Sequence, residues 1–157
     1  MIKYKGIVHE TLNQAPFIGA VIIAPSCNKG CKGCINEHLK TDGVFYYEEV
    51  EEIIEQVKDY IFNEGVILAG LEWTESPESM IKIVESALKN HLKVMIYTHL
   101  TEDEFKEKFP DLWGLNIWVK FGEYDERKKV EDYYSFGVKL ATYNQYIKNL
   151  AGVKGWK

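Results

Sequence analysis

Several features that mark particular classes of protein are missing from this chain of 157 residues. No apolar run approaches the ~20 residues that a membrane-spanning helix requires. The first residues, MIKYKGIVHE, show neither the apolar segment nor the small-residue cleavage site of a secretory signal. We therefore expect a cytoplasmic protein that does not act at a membrane.

An excess of positive charge is also missing. The chain has 19 Lys and Arg residues against 24 Asp and Glu residues, which gives a formal net charge of −5. A protein that neutralises phosphates needs a basic face, and the short basic segment at residues 127–129 is flanked by acidic residues. The charge balance therefore argues against a nucleic-acid partner.

Cysteine is scarce, and its distribution is uneven. Cys27, Cys31 and Cys34 all lie within eight residues, and no cysteine occurs elsewhere in the sequence. Three thiols cannot all pair as disulfides, and a structural zinc site closes with four ligands. Because the sequence gives no sign of export, we expect the thiols to be reduced.

The overall composition is that of an ordinary globular domain. Hydrophobic residues make up 46% of the chain and charged residues 27%. The chain is long enough to bury a core of its own, and it contains no repeat, low-complexity tract or long linker. We therefore expect residues 1–157 to form a single domain.

Apolar patterns predict strands that alternate with helices. The first segment, residues 18–24, is a continuous apolar run of the kind shown by a strand that is buried on both faces. Strands that alternate with helices of about 10–15 residues are typical of an α/β fold with a mostly parallel sheet. The predicted strands are residues 18–24, 66–69, 94–97 and 115–119, with a weaker candidate at 138–141.

Apolar spacing and capping residues predict helices in the segments between these strands. Apolar residues at helical spacing predict a helix over residues 48–62, with Gly65 as its C-terminal stop. Ser76 and Pro77 predict the cap and the first turn of a second helix. Residues 101–104 have the capping-box pattern with which a third helix would begin.

Glycines and polar residues follow the predicted strands at their carboxyl ends, where the chemistry of parallel α/β proteins gathers. The cysteine loop follows the first predicted strand, and short polar segments follow the next ones. Because these ends share one edge of the sheet, we expect one common site. Its candidate residues are Cys27, Cys31, Cys34, Gly70, Leu71, Glu72, Thr98, His99 and Lys120.

The spacing C-x3-C-x2-C suits a metal cluster. A loop this short can wrap three thiolates around one face of an iron–sulfur cluster, and Gly30 and Gly33 allow the tight backbone that this requires. A ferredoxin-type carrier uses four cysteines, so three leave one iron open to a substrate or cofactor. Two alternatives remain: a zinc site completed by His38, and thiols that bind no metal.

The same motif after the first strand of a parallel α/β chain resembles the signature of the radical S-adenosylmethionine (SAM) superfamily. In that family the three cysteines hold a 4Fe–4S cluster, and the amino and carboxylate groups of SAM bind its fourth iron. One electron from the reduced cluster cleaves SAM to methionine and a 5′-deoxyadenosyl radical. The resemblance implies metal ligation by Cys27, Cys31 and Cys34. It also implies a small, truncated radical SAM (βα) partial barrel with a mostly parallel sheet.

The resemblance further implies residues that contact SAM. Gly70, Leu71 and Glu72 stand where the family has a Gly-Gly-Glu-Pro-like segment that binds the amino group, although Leu71 and Trp73 depart from that pattern. The other implied SAM-binding residues are Thr98, Lys120 (for the carboxylate), Asn144 and, as a weaker candidate, His99.

Two segments narrow the resemblance to glycyl-radical activating enzymes, in particular the activating proteins of anaerobic ribonucleoside-triphosphate reductase. CKGCIN, residues 31–36, is similar to a C-x-G-C-aromatic-N form, and YNQ, residues 143–145, is similar to a Ser-Asn-Gln ending. The implied partner is the reductase, on which the protein would generate a glycyl radical, and the implied electron donor is a flavodoxin or ferredoxin. The Gly-rich, Arg-containing stretch that often precedes the first strand is missing.

Two other functions stay open at this point. One is radical SAM chemistry on another peptide or on a small molecule, which a closed, ligand-sized pocket would favour. The other is a non-catalytic iron–sulfur or zinc module, which a lack of SAM cleavage would favour. The aromatic residues of the C-terminal half are compatible with a docking surface, but we expect Trp118 to lie in the core.

Overall fold

The computed structural model describes residues 1–27 and 43–152, which form a mixed α/β structure. Its strands, in chain order, are β1 (Ile2–Tyr4), β2 (Gly6–Thr11), β3 (Gly19–Ile23), β4 (Tyr46–Glu48), β5 (Gly65–Ala69), β6 (Lys93–Tyr97), β7 (Trp118–Phe121), β8 (Lys129–Ser135), β9 (Val138–Thr142) and β10 (Tyr146–Asn149). Within the described residues, six of these strands form the main sheet in the order β10-β7-β6-β5-β3-β2.

The main sheet is mostly parallel. Its central strands β3, β5, β6 and β7 run parallel to one another. The edge strands β2 and β10 are antiparallel to their neighbours. Since the four parallel strands all end at the same edge of the sheet, the segments that follow them are brought together there.

Helices α1 (Val50–Asp59), α2 (Pro77–Lys89) and α3 (Glu102–Lys108) precede β5, β6 and β7 respectively. Pro77 is the first residue of α2, as predicted, and Ser76 is its N-cap residue, although the Ser76 side chain makes no capping hydrogen bond. Thr101 and Glu104 form the predicted capping box of α3. Local sequence signals thus define the starts of α2 and α3.

The two faces of the main sheet are covered by different elements. On one face, Leu68 of β5 packs in a core with apolar residues of the helices, among them Ile83 of α2. On the other face, Met95 and Trp118 pack in a second core with Leu140 of β9. Alternate residues of each strand supply the two cores, as the period of two in a strand requires. Trp118 is buried in the core, as expected.

The weaker strand predicted at residues 138–141 exists as β9, but it lies outside the main sheet. It pairs with β8 in a two-stranded antiparallel hairpin. The turn residues Phe136 and Gly137 both have positive φ, 49° and 80°, which is the type I′ pattern of tight hairpins. Phe136 packs edge-on against Trp118, with ring centroids 4.8 Å apart. The hairpin is thereby held against the second face of the sheet.

The structure corrects two predicted boundaries. The predicted helix over residues 48–62 ends at Asp59, and Gly65 is the first residue of β5 instead of a helix stop. The Asn63 side chain donates to the Val57 carbonyl and so satisfies one of the last carbonyls of the helix. The strand predicted at residues 115–119 begins at Trp118.

The prediction also missed both edge strands of the main sheet, β2 and β10. No helix in the described part of the chain has the length and apolar character needed to cross a lipid bilayer.

Candidate functional site

A cavity of about 660 Å³ lies on the hairpin side of the main sheet, at the carboxyl ends of its parallel strands. Its floor consists of Val21, Ile23, Ala69 and Tyr97, and Leu140 of β9 closes part of the opposite side. The structure therefore brings most of the predicted site residues to one cavity. The predicted residues that line it are Cys27, Gly70, Leu71, Glu72, Thr98, His99 and Lys120.

Cys27 is held at the cavity by the backbone that precedes it. The Ala24 amide donates to the Ala69 carbonyl at 3.0 Å, and the Glu72 amide donates to the Ser26 carbonyl at 3.0 Å. These bonds continue the pairing of β3 with β5 past the strand ends, so the start of the cysteine loop lies beside Glu72. Cys31, Cys34 and His38 lie outside the described residues.

Glu72 is a buried carboxylate that joins the segments after β5 and β6. Its Oε2 accepts hydrogen bonds from the Thr74 amide at 3.2 Å, the Thr74 hydroxyl at 2.6 Å and the Thr98 hydroxyl at 2.9 Å. Its Oε1 accepts from the His99 amide at 2.8 Å. A buried carboxylate requires such donors. Glu72 therefore fixes the shape of the cavity wall through its own hydrogen bonds.

Gly70 is required by the backbone at the end of β5. Its φ is +85°, and a β-carbon at this position would lie 2.5 Å from Ile23 Cγ2. Leu71 and Trp73, the two departures from the family segment, are both buried, and Trp73 Nε1 donates to the Ile22 carbonyl at 2.8 Å. Leu71 and Trp73 thus contribute to the packing beneath the cavity.

Lys120 brings a buried cation to the cavity wall. Its side chain leaves β7 with only 8% of the residue exposed, and its Nζ donates to the Gly122 carbonyl at 2.8 Å. The same nitrogen lies 5.7 Å from the centre of the Tyr97 ring, within the range of a cation–π contact. The Tyr97 hydroxyl donates to the Gln14 carbonyl at 2.6 Å, and burial raises the pKa of Tyr97. The Lys120 Nζ thus contacts both the Gly122 carbonyl and the face of the Tyr97 ring.

Asn144 lies beside the main cavity, in a smaller one of about 340 Å³ that shares His99, Gly122 and Glu123 with it. Its Nδ2 donates to the Glu123 carbonyl at 3.0 Å, and its Oδ1 accepts from the Thr142 hydroxyl. Its neighbour Gln145 lines the main cavity. A contact between Asn144 and SAM stays a prediction.

Sequence reasoning missed one residue with the chemistry of a metal ligand. Ligand atoms of Cys27, Glu75 and His99 all lie within 4.8 Å of one another. Glu75 ends a short 3₁₀ turn between β5 and α2, and no sequence spacing connects it to Cys27 or His99. Only the approach of three strand ends brings these side chains together.

Comparison with known families gives a match that spans the cysteine loop. The family described as a 4Fe-4S single cluster domain matches residues 18–137, which include all three cysteines. This chain belongs to that family. Membership supports a 4Fe–4S cluster as its metal group, and three thiolates in a short loop are a donor set that fits such a cluster.

A relative of assigned name points in the same direction. A protein of Methanocaldococcus jannaschii, provisionally named a glycyl-radical enzyme activating enzyme, is 28% identical to this chain over 138 residues. The match covers 81% of this chain and 55% of that protein, so the chain spans about half the length of the curated relative it matches. Together the family and the relative support an iron–sulfur enzyme of the radical SAM type.

Proposed function

We propose that this protein is a radical SAM iron–sulfur enzyme that reductively cleaves SAM and generates a glycyl radical on a partner enzyme. The partner that we propose is an anaerobic ribonucleoside-triphosphate reductase. The observation that carries the proposal is the cavity at the carboxyl ends of the parallel strands, which has Cys27 on its wall beside Glu72, Thr98 and Lys120. This arrangement of a mostly parallel sheet around one cavity also supports a truncated radical SAM partial barrel as the fold.

The chain's own residues supply distinct parts of such a site. Cys27, with Cys31 and Cys34, would hold the cluster, and the Lys120 ammonium would attract the carboxylate of SAM because an opposite charge in a partly desolvated wall makes a strong pair. Gly70 and Leu71 would present backbone to the SAM amino group. The apolar residues Val21, Ile23, Ala69 and Leu140 would exclude water from the adenosine part.

When bound, the cluster supplies one electron to SAM, and the cleavage of SAM provides the means to take a hydrogen atom from a glycine. The protein's task is to keep water away and to admit the substrate. The cavity rim includes exposed residues, namely Asn13, Gln14, Lys139 and Ala141. A loop of a partner protein can approach the cavity across this rim, which supports a protein substrate.

The test uses anaerobically reconstituted protein with SAM, dithionite and the reductase from the same source. We expect 5′-deoxyadenosine and methionine to accumulate, and the reductase to show the electron paramagnetic resonance doublet of a glycyl radical. The Cys31→Ala variant is the matched control, because it changes a single residue and removes a proposed cluster ligand.

Two negative results would each favour a different alternative function. Loss of SAM cleavage in wild-type protein that carries a complete cluster would favour a non-catalytic iron–sulfur module. Cleavage of SAM without the doublet would contradict the proposed partner, and it would favour a small molecule or another peptide as the substrate.

A further inference from the structure

Three side chains with different ligand atoms meet at the edge of the cavity. The Cys27 thiol, the Glu75 carboxylate and the His99 imidazole have ligand atoms within 4.8 Å of one another, and all three residues are half-buried. A transition metal binds such atoms at about 2.0–2.3 Å, so ligand atoms of one site lie at most about 4.5 Å apart. At tetrahedral angles these distances place the ligand atoms about 3.3–3.8 Å apart, so the three side chains would have to draw together by up to about 1 Å to hold one ion.

The backbone of all three residues is tied to Glu72. The Glu72 amide bonds to the Ser26 carbonyl next to Cys27, the Glu75 amide donates to the Glu72 carbonyl at 3.3 Å, and the His99 amide donates to Glu72 Oε1. The three ligands come from segments that follow three neighbouring strands, β3, β5 and β6. Their proximity is thus a property of the sheet and of one buried carboxylate.

The set of ligand atoms selects a class of ion. Thiolate, imidazole and carboxylate together suit Zn²⁺, Fe²⁺ or Co²⁺, whereas Mg²⁺ and Ca²⁺ prefer oxygen ligands alone. Three protein ligands leave a fourth tetrahedral position for water or a small ligand. Cys27 and His99 line the cavity, which provides a path for the ion.

A second carboxylate lies near the imidazole. Glu72 Oε1 lies 3.7 Å from His99 Nε2, and the Glu72 carboxylate is itself fixed by the hydroxyls of Thr74 and Thr98. Metal-binding histidines in proteins commonly have a carboxylate beside the ring, which orients the imidazole and increases its basicity. The Glu72 carboxylate is near enough to His99 to take this position once the ring moves by less than about 1 Å, since 3.7 Å is longer than a hydrogen bond.

We propose that Cys27, Glu75 and His99 bind a single divalent transition-metal ion when the protein carries no cluster. Because a cluster would also use Cys27, the ion and the cluster exclude each other at this residue. The site goes beyond the proposed function and does not depend on it, since neither SAM, reductant nor a partner takes part in binding the ion.

The test is a titration of the full chain with Co²⁺ after removal of iron and sulfide by a chelator under anaerobic conditions. We expect one Co²⁺ per chain, with the visible absorption of tetrahedral Co²⁺ and a thiolate-to-cobalt charge-transfer band. His99→Asn and Glu75→Gln should each weaken binding at least about tenfold, as loss of a metal ligand or its support does. Cys27→Ser should remove the charge-transfer band.

Matched controls separate this site from the cysteine loop. His91→Asn and Glu78→Gln remove a histidine and a glutamate on α2 or just after it, away from the cavity wall, and they should leave Co²⁺ affinity unchanged. The double variant Cys31→Ala, Cys34→Ala should also retain the ion. If the double variant loses Co²⁺ while His99→Asn and Glu75→Gln retain it, the proposal is wrong.

A measurement on wild-type protein guards against variants that fail to fold. X-ray absorption of the cluster-free chain with one equivalent of Zn²⁺ should give one sulfur ligand, with nitrogen and oxygen as the others. Three sulfur ligands would assign the ion to Cys27, Cys31 and Cys34 and would overturn the proposal.

Discussion

The Thr98 hydroxyl donates to Glu72 Oε2 at 2.9 Å, across the ends of two neighbouring parallel strands. Thr98 follows β6 and is 1% exposed, and Glu72 follows β5 and is 4% exposed. The Leu100 amide in turn donates to the Thr98 hydroxyl at 3.1 Å. Hydrogen bonds between the segments after β5 and β6 therefore connect this part of the cavity wall.

Replacing Glu72 by Gln should destabilise the folded protein. Glutamine has one oxygen acceptor and one NH₂ group in place of two acceptor oxygens, so donors that now bond to the carboxylate would face another donor. A buried polar group left without its partner costs about 1–3 kcal/mol. Denaturant unfolding should show a loss in this range, while the exposed control Glu78→Gln should unfold like wild type. Equal stability of Glu72→Gln and wild type would contradict the connected hydrogen-bond set.

The strands and helix starts that were predicted correctly depend on short stretches of sequence. The continuous apolar run at residues 18–24 contains β3, because a strand between two neighbours and under two cores must be apolar on both sides. Thr101 and Pro77 define helix starts through bonds and geometry within one turn. Each of these signals involves only a few neighbouring residues, so it can be recognised in the sequence without knowledge of the fold.

The missed features depend on contacts between distant segments. Strand β2 has the sequence GIVHET, half-buried at most positions, and it is extended because it pairs with β3. Glu75 becomes a candidate ligand only because the segments after three strands converge near Cys27. The cavity residues Gly70, Thr98 and Lys120 directly follow predicted strands, and Glu72 lies in the short segment after the strand at residues 66–69. No comparable rule identifies Glu75.

Gly70→Ala should be more damaging than Gly114→Ala, although both glycines have positive φ, +85° and +93°. A non-glycine residue in this region costs of order 1–3 kcal/mol, which both variants should lose. At Gly70 the new methyl group also overlaps Ile23, whereas nothing lies within 4 Å at Gly114. Overpacking adds about 1–3 kcal/mol. Unfolding free energies of the two variants measure the difference, and equal losses would contradict the close approach of Gly70 to Ile23.

The ion pair between Lys148 and Glu102 should make stability depend on acid pH. The Lys148 Nζ lies 2.7 Å from Glu102 Oε2, and the Tyr146 hydroxyl donates to Glu102 Oε1 at 2.6 Å. Burial alone would raise the pKa of Glu102, but these two hydrogen bonds outweigh it and lower the pKa below its ordinary value of 4.5. Because the folded-state pKa is lowered, this stabilisation is present above the ordinary value and is lost as the pH falls through the folded-state pKa.

The comparison with Glu102→Gln isolates this effect. Wild type should be the more stable protein at neutral pH, by under about 1 kcal/mol for a partly exposed pair, and the difference should vanish as the pH falls well below 4.5. Thermal unfolding across this pH range measures it. A difference that stays constant with pH would show that the carboxylate charge does not contribute.

Removal of any one of the three cysteines should abolish the iron–sulfur cluster. Anaerobic reconstitution of wild type should give about four irons and four sulfides per chain with broad absorbance near ~400 nm. Cys27→Ala, Cys31→Ala and Cys34→Ala should each lose this absorbance, because each removes a thiolate ligand. His38→Ala should keep it, because His38 belongs only to the zinc alternative. A colourless reconstituted protein with one tightly bound zinc that depends on His38 would favour that alternative.

Lys120→Met should weaken SAM binding to the reconstituted protein. Methionine keeps the length and packing of the side chain on β7 and removes the ammonium, so the SAM carboxylate would lose its cationic partner. An unpaired charged group costs roughly 1–3 kcal/mol, which corresponds to a loss of affinity of about 5- to 150-fold. Lys89→Met, on the exposed end of α2, is the matched control and should bind SAM like wild type.

A SAM analogue that lacks the carboxylate tests the same contact from the ligand side. If Lys120 pairs with that group, decarboxylated SAM should bind wild type more weakly than SAM does, and Lys120→Met should weaken it no further. Equilibrium binding of both ligands to both proteins forms a double-mutant cycle, in which a coupling energy is expected only when the ammonium and the carboxylate are both present. If Lys120→Met weakens the two ligands equally, the lysine acts on the shape of the cavity through Gly122 and Tyr97, and the carboxylate contact is wrong.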